Sequence, residues 1–92
     1  MYKKWIKLIP DLTDNPEQIE LLVCPNCMER KVDYLYIVRG KDRMGYLQIW
    51  CNSCLTGIYV SRAKAPEKAK VIDFKQKDEI MKIIPKYKFV NE

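Results

Sequence analysis

The chain has 92 residues, of which 48% are hydrophobic and 32% charged, and its formal net charge is +5. A chain of this length forms one small domain, so we predict a single domain over residues 1–92. The sequence contains no histidine, and no stretch approaches the ~18 consecutive apolar residues of a membrane-spanning helix. We therefore expect neither histidine-based catalysis nor insertion into a membrane.

The first ten residues combine lysines with large apolar side chains, as the start of a signal peptide does. Lys7 interrupts the apolar part and Pro10 ends it, which makes it too short for a signal-peptide core. We interpret this segment as a short strand or an extended arm. Without an export signal, we expect a cytoplasmic protein whose cysteines are reduced.

The residues that follow predict a short helical turn. Asn15 can cap a helix, Pro16 fits its first position, and Gln18 can complete a capping box. We expect this turn to end near Leu21.

The middle of the chain contains three segments rich in β-branched and aromatic residues, which is typical of strands. They cover residues 32–39, 45–50 and 57–62. Gly40-Lys41-Asp42-Arg43 predicts the turn between the first two. Alternate residues of a strand point to opposite faces, and here both faces are largely apolar, so we expect flanking segments to cover the sheet.

The last third of the chain begins with a basic linker over residues 63–70. Residues 75–84 predict a helix that Pro85 ends. Its four apolar residues recur at helical spacing: Ile80, Met81, Ile83 and Ile84. This apolar stripe is the expected cover for one face of the sheet. Residues 71–74 and 86–90 are each compatible with a short additional strand.

All four cysteines fall into two pairs with the spacing Cys-x2-Cys. The pairs are Cys24 with Cys27 and Cys51 with Cys54. Two residues between cysteines let both sulfur atoms reach one ion from a tight turn, and four thiolates complete a tetrahedral zinc shell. Such a shell leaves no coordination position open, so we predict one structural Zn²⁺ ion rather than a catalytic one.

Two disulfides, a bound iron ion and a redox-active cysteine pair are the alternatives to zinc. Disulfides need an oxidising compartment, which the expected location does not supply. A redox reaction needs one active pair, whereas two matched pairs across a hairpin favour a shared metal ion.

With these two motifs, residues 21–62 resemble the zinc-ribbon class of small proteins, and residues 63–92 form a C-terminal extension. We therefore predict a small β-rich α+β zinc ribbon, with a three-stranded antiparallel sheet, a short N-terminal helical turn and a C-terminal helix. Many ribbons carry glycine just after the second cysteine of each pair, where this chain has Met28 and Leu55.

Zinc ribbons serve in transcription, translation, enzymes and protein docking, so the class does not fix a function. In ribbons that help polymerases cleave transcripts, two adjacent acidic residues occupy the hairpin tip. The tip here is Lys41-Asp42-Arg43, which does not match, and we reject that role. The chain also looks like uncharacterised small bacterial ribbon proteins, a resemblance that implies an immunity or accessory role.

We predict a non-enzymatic protein that acts as a protein-interaction or regulatory module, with homodimer formation left open. The apolar sheet faces and the two terminal segments are its candidate contact surfaces. The alternative is a nucleic-acid-binding ribbon in which a basic hairpin tip contacts phosphates and tyrosines stack bases. The candidate residues for that contact are Arg39, Lys41, Arg43 and Arg62.

Overall fold

The structure is a computed structural model that describes residues 2–90. Its centre is a sheet built on three long strands. These strands are β1 (Val32–Arg39), β2 (Met44–Cys51) and β3 (Thr56–Lys64). They pair antiparallel in the order β1-β2-β3. Their β-branched and aromatic side chains pack well on a pleated surface. The description does not include the side chains of Lys41 and Lys77.

Two short strands complete the sheet and make it mixed. β4 (Val71–Asp73) runs parallel to β1 and β5 (Lys88–Phe89) runs parallel to β3, which gives the order β4-β1-β2-β3-β5. The predicted three-stranded antiparallel sheet is therefore wrong. The outer edges of β1 and β3 carry backbone groups that need partners, and the later segments supply them. For example, the Val90 N–H donates to the Gly57 carbonyl (2.8 Å).

The N-terminal segment is helical, so its interpretation as a strand or extended arm is wrong. It forms α1 (Tyr2–Ile6) and α2 (Leu8–Asp14). Trp5 and Leu12 are both buried. They lie seven positions apart, which is about two helical turns, so both face the same side. Pro10 is the third residue of α2, where a backbone N–H would lack a partner inside the helix.

The helical turn predicted after Asn15 exists as a 3-10 helix, Pro16–Leu21, with Pro16 in its first turn. Within residues 2–90 the Asn15 side chain makes no capping hydrogen bond. Its backbone carbonyl instead accepts a hydrogen bond from the Gln18 N–H (3.0 Å).

A third helix, α3 (Lys77–Ile83), lies between β4 and β5. The predicted fold with a terminal helix is wrong, because β5 follows α3 and returns the chain to the sheet. Ile80 and Ile84 pack against the sheet. Met81, which belongs to the same predicted apolar stripe, is 79% exposed. In residues 2–90 no helix is both long enough and apolar enough to cross a bilayer.

The two faces of the sheet hold separate hydrophobic clusters. On the first face the N-terminal helices cover a cluster that includes Tyr34, Tyr36, Leu47, Ile49 and Ile58. On the second face α3 and the residues after it cover a smaller cluster of Leu35, Ile37, Trp50 and Ile72. Towards the hairpin between β1 and β2 this second face is more open, since Tyr59 there is 42% exposed.

Candidate metal centre

Each Cys-x2-Cys pair forms a tight turn at the same end of the sheet. The first turn lies between the 3-10 helix and β1, and the second joins β2 to β3. In the first turn the backbone N–H groups of Asn26 and Cys27 point at Cys24 Sγ, at 3.3 and 3.4 Å. In the second turn the Ser53 N–H points at Cys51 Sγ at 3.3 Å. N–H groups aimed at sulfur favour the thiolate form, which is the form that binds metal.

The residue after each pair has a left-handed backbone. Met28 has φ 66° and Leu55 has φ 53°. Their N–H groups close the turns onto the carbonyl groups of Cys24 and Cys51, each at 2.9 Å. A residue with a Cβ in this conformation costs about 1–2 kcal/mol. These are the positions where many ribbons carry glycine, so this chain keeps the turn geometry at an energetic cost.

The four sulfur atoms form one cluster in which all lie within 4.8 Å of one another. Cys24 Sγ lies 3.7 Å from Cys54 Sγ, and Cys27 Sγ lies 3.6 Å from Cys51 Sγ. In a tetrahedral site with metal–sulfur bonds of about 2.3 Å, neighbouring sulfurs lie about 3.8 Å apart. All four cysteines are free. The cluster can therefore hold one metal ion.

The cluster closes the core at this end of the sheet. Cys24 and Cys51 are fully buried and belong to the hydrophobic cluster on the first face. Cys27 and Cys54 are half-buried. The Asn52 N–H donates to the Lys31 carbonyl (2.8 Å), which ties the second turn to the residue before β1. An ion held here would fix the separation of two turns that are far apart in the sequence.

As free thiols, Cys24, Cys51 and Cys54 have shifted pKa values. Burial raises the pKa of Cys24 to about 12, and burial also raises the pKa of Cys51. At Cys54 burial alone would raise the pKa, but hydrogen bonds with the side chains of Asn26, Thr56 and two neighbouring cysteines lower it to about 6. Cys54 is thus more ready to bind a cation than the buried Cys24 and Cys51.

Sequence reasoning missed Asn26 and Thr56 as neighbours of the cluster. The Asn26 side-chain amide lies 3.4 Å from Cys54 Sγ, and the Thr56 hydroxyl lies 3.1 Å from the same atom. Asn26 sits inside the first turn yet contacts a cysteine of the second, so only the three-dimensional structure reveals this contact. The position of Thr56, two residues after Cys54, was a signal available in the sequence.

Of the residues predicted to contact nucleic acid, Arg43 does not share the surface of Arg39 and Arg62. Arg39 and Arg62 line a common groove of about 540 Å³ on the second face of the sheet. Arg43 is directed elsewhere: its guanidinium donates to the Ala65 carbonyl (3.0 Å) and to the Pro66 carbonyl. The Lys41 side chain lies outside the described part of the structure.

The same groove brings together aromatic side chains of the kind predicted to stack bases. Tyr46, Tyr59 and Phe74 line it together with Arg39 and Arg62. Tyr46 and Gln48 lie two residues apart on β2, so their side chains point to the same face of the sheet. Gln48 pairs with Tyr59, which places Tyr59 on that face as well. Phe74 belongs to no long strand, and its position depends on the pairing of β4 with β1.

The comparisons with known proteins give no relative for this chain. A scan against protein-family models, a search of the curated proteins and a search of the solved structures each find no match. The assignment that stands is therefore the one carried by the residues themselves, a pair of Cys-x2-Cys turns whose four sulfurs can share one metal ion.

Proposed function

We propose that this chain is a non-enzymatic binding protein that is folded around one structural zinc ion. Cys24, Cys27, Cys51 and Cys54 would be the four ligands. The observation that carries the proposal is that all four sulfurs lie within 4.8 Å of one another. A cluster of four thiolates favours zinc or iron, and zinc occupies such closed sites in small structural domains. The corresponding compartment is the cytoplasm, where thiols stay reduced.

The proposed role is structural because four sulfur ligands saturate a tetrahedral ion. A catalytic zinc ion needs an open position for water or substrate. Two of the four ligands are fully buried, so substrate could approach from one side only. The sequence also lacks histidine, the commonest general acid–base residue. These features favour a function in which the protein surface binds a partner over one in which the metal ion catalyses a reaction.

The proposed contact surface is the open part of the second sheet face. Tyr59 and Phe89 are 42% and 52% exposed there, and Arg39 and Arg62 line a groove together with Tyr59. Exposed aromatic rings next to arginines are common where proteins bind other macromolecules. A protein partner, as in an immunity or accessory role, and a nucleic acid are the two classes that fit this description.

Native mass spectrometry before and after chelation tests the structural role. We expect one zinc ion per chain, and loss of folded structure when the chelator removes it. The same spectrum reveals a homodimer or a co-purified partner. A chain without metal that keeps its fold would contradict the proposal.

Cobalt substitution tests whether the metal has an open position. A closed four-thiolate site gives the visible absorption of tetrahedral Co²⁺ with thiolate charge transfer, and added azide or cyanide leaves the spectrum unchanged. A spectral change on adding either anion would reveal an exchangeable position and would argue for a catalytic site.

A further inference from the structure

We infer that the open part of the second sheet face binds single-stranded nucleic acid by stacking bases on a row of aromatic rings. We call this surface the aromatic row and define it by the residues Phe74, Tyr46, Tyr59 and Phe89. This inference rests on the proposed function, because it names the partner of the binding surface proposed above.

The rings form a continuous series across the sheet. The ring centroids of Phe74 and Tyr46 lie 5.4 Å apart, those of Tyr46 and Tyr59 lie 5.0 Å apart, and those of Tyr59 and Phe89 lie 6.2 Å apart. The series therefore runs from the loop after β4, across β2 and β3, to β5. A row of rings with this continuity offers successive stacking positions to successive bases.

The row is supported from below, so its rings are held in place. Tyr46 and Phe74 pack against the hydrophobic cluster of the second face. Phe89 also contacts Tyr87, with centroids 5.2 Å apart and planes at 70°. Rings that are already ordered lose little conformational entropy when a ligand binds.

Positive charge lies along one end of the row. The Arg39 guanidinium lies over the Phe74 ring, 5.6 Å from its centroid, and Arg62 is an exposed residue of the same groove. Asp42 is the acidic residue that lines the groove with them. The balance of charge therefore favours a polyanion, with the cations available to phosphates while the rings receive bases.

Exposed rings distinguish a single strand from a duplex. In a duplex the bases already stack on one another, so a protein ring gains a base only if the duplex opens. Unpaired bases have free faces, and stacking on aromatic side chains accepts any base. The aromatic row therefore fits a single strand without a strict sequence preference.

The test uses the zinc-loaded full chain and a fluorescent oligodeoxythymidylate of about 12 nucleotides, a length within the range that one small domain covers. Fluorescence anisotropy would measure the affinity at several salt concentrations. We expect Tyr59→Ala and Phe89→Ala each to weaken binding by about thirtyfold, the middle of the range for loss of one stacked base. The matched control is Met81→Ala, since Met81 is an exposed apolar residue on α3; it should not change the affinity.

The charge is tested with Arg39→Gln and Arg62→Gln. Each phosphate contact contributes about 0.7 to the slope of log affinity against log salt for a single strand, so the double variant should lose about 1.4 from that slope. The zinc content and thermal midpoint of every variant are measured in parallel, which separates loss of the surface from loss of the fold.

Two results would overturn this inference. One is a zinc-loaded, folded chain that does not bind the oligonucleotide, which leaves the structural zinc proposal intact. The other is oligonucleotide binding that Tyr59→Ala and Phe89→Ala do not weaken. A co-purified protein that Tyr59→Ala releases, from a chain that binds no oligonucleotide, would assign the same surface to a protein partner instead.

Discussion

The indole ring of Trp50 stacks on the phenol ring of Tyr87, with ring centroids 5.9 Å apart and planes 20° from parallel. Trp50 directly precedes Cys51, and Tyr87 directly precedes β5. The pair therefore connects the second cysteine turn to the last strand of the sheet. The Tyr87 hydroxyl strengthens this connection, because it donates a hydrogen bond to Gln48 Oε1 (2.6 Å).

The hydroxyl of Tyr87 should make a measurable contribution to stability. Tyr87→Phe keeps the ring stack but loses the hydrogen bond to Gln48, and we expect a cost of about 1 kcal/mol. In a domain of this size that corresponds to a thermal midpoint lower by about 4–8 °C. Circular dichroism of the zinc-loaded chain would measure it. Tyr59→Phe is the control, since Tyr59 is 42% exposed, and equal shifts for both variants would contradict the prediction.

The stability of the fold should decrease at alkaline pH. Burial raises the pKa of Tyr87, and it also raises the pKa of Tyr36 and Tyr46. A tyrosine whose pKa is higher in the folded chain stabilises it fully below the unfolded value near 10, and this contribution is lost as the pH rises towards the folded pKa. Phenolate absorbance should therefore show a late-titrating fraction that ends in unfolding. Complete titration of all tyrosines near pH 10 in a folded chain would exclude this.

Loss of one sulfur should remove both the metal and the fold. Binding of structural zinc contributes on the order of 10–16 kcal/mol to small domains of this kind. We expect Cys51→Ser to bind no zinc tightly and to be unfolded in circular dichroism spectra. Ser53→Ala, an exposed position in the same turn, is the control and should behave like the original chain. Full zinc content in folded Cys51→Ser would rule out the proposed four-sulfur site.

Metal binding should release protons and weaken as the pH falls. The pKa of Cys24 is about 12 and that of Cys51 is raised, so both are protonated thiols near pH 7 and must lose a proton to bind metal. Cys54, with a pKa of about 6, is largely thiolate already at that pH. Calorimetric titration of zinc in buffers of different ionisation enthalpy would count the protons. A binding constant independent of pH between mildly acidic and neutral conditions would disagree with this prediction.

Arg43 should matter for stability rather than for binding nucleic acid. Its guanidinium is committed to the Ala65 and Pro66 carbonyls, which fastens the hairpin to the segment after β3. We expect Arg43→Gln to lower the free energy of unfolding by about 1 kcal/mol, since charge-assisted hydrogen bonds to half-exposed groups are partly screened. Urea unfolding would measure this change. Arg62→Gln removes an exposed charge from the groove beside the aromatic row. We expect this variant to lose little stability but to bind the oligonucleotide more weakly.

The long strands and the cysteine cluster were predictable because their signals are local. Val32–Arg39 is rich in β-branched and aromatic residues, and the repeated Cys-x2-Cys spacing indicates a shared ion. β4 and β5 fall within the two segments that were compatible with short strands, but their parallel pairing with β1 and β3 is a tertiary feature that no local pattern contains. The N-terminal helices were missed because the alternation of lysine with apolar residues hid the helical spacing of Trp5 and Leu12. The role of Arg43 depends on carbonyl groups 22 and 23 residues away, which no local pattern contains.

The short outer strands also protect the chain from joining other copies of itself. A long strand at the edge of a sheet offers a row of unpaired backbone groups on which another molecule can add a strand, and this leads to aggregation. Here the edge of β1 is covered by β4, and the start of β3 is covered by β5. The rest of β3 carries Arg62 and Lys64 and pairs with β2 through an irregular register, which discourages a regular added strand. Removing residues 88–92 would expose the start of β3, and such a shortened chain should form fibrous aggregates more readily than the full one.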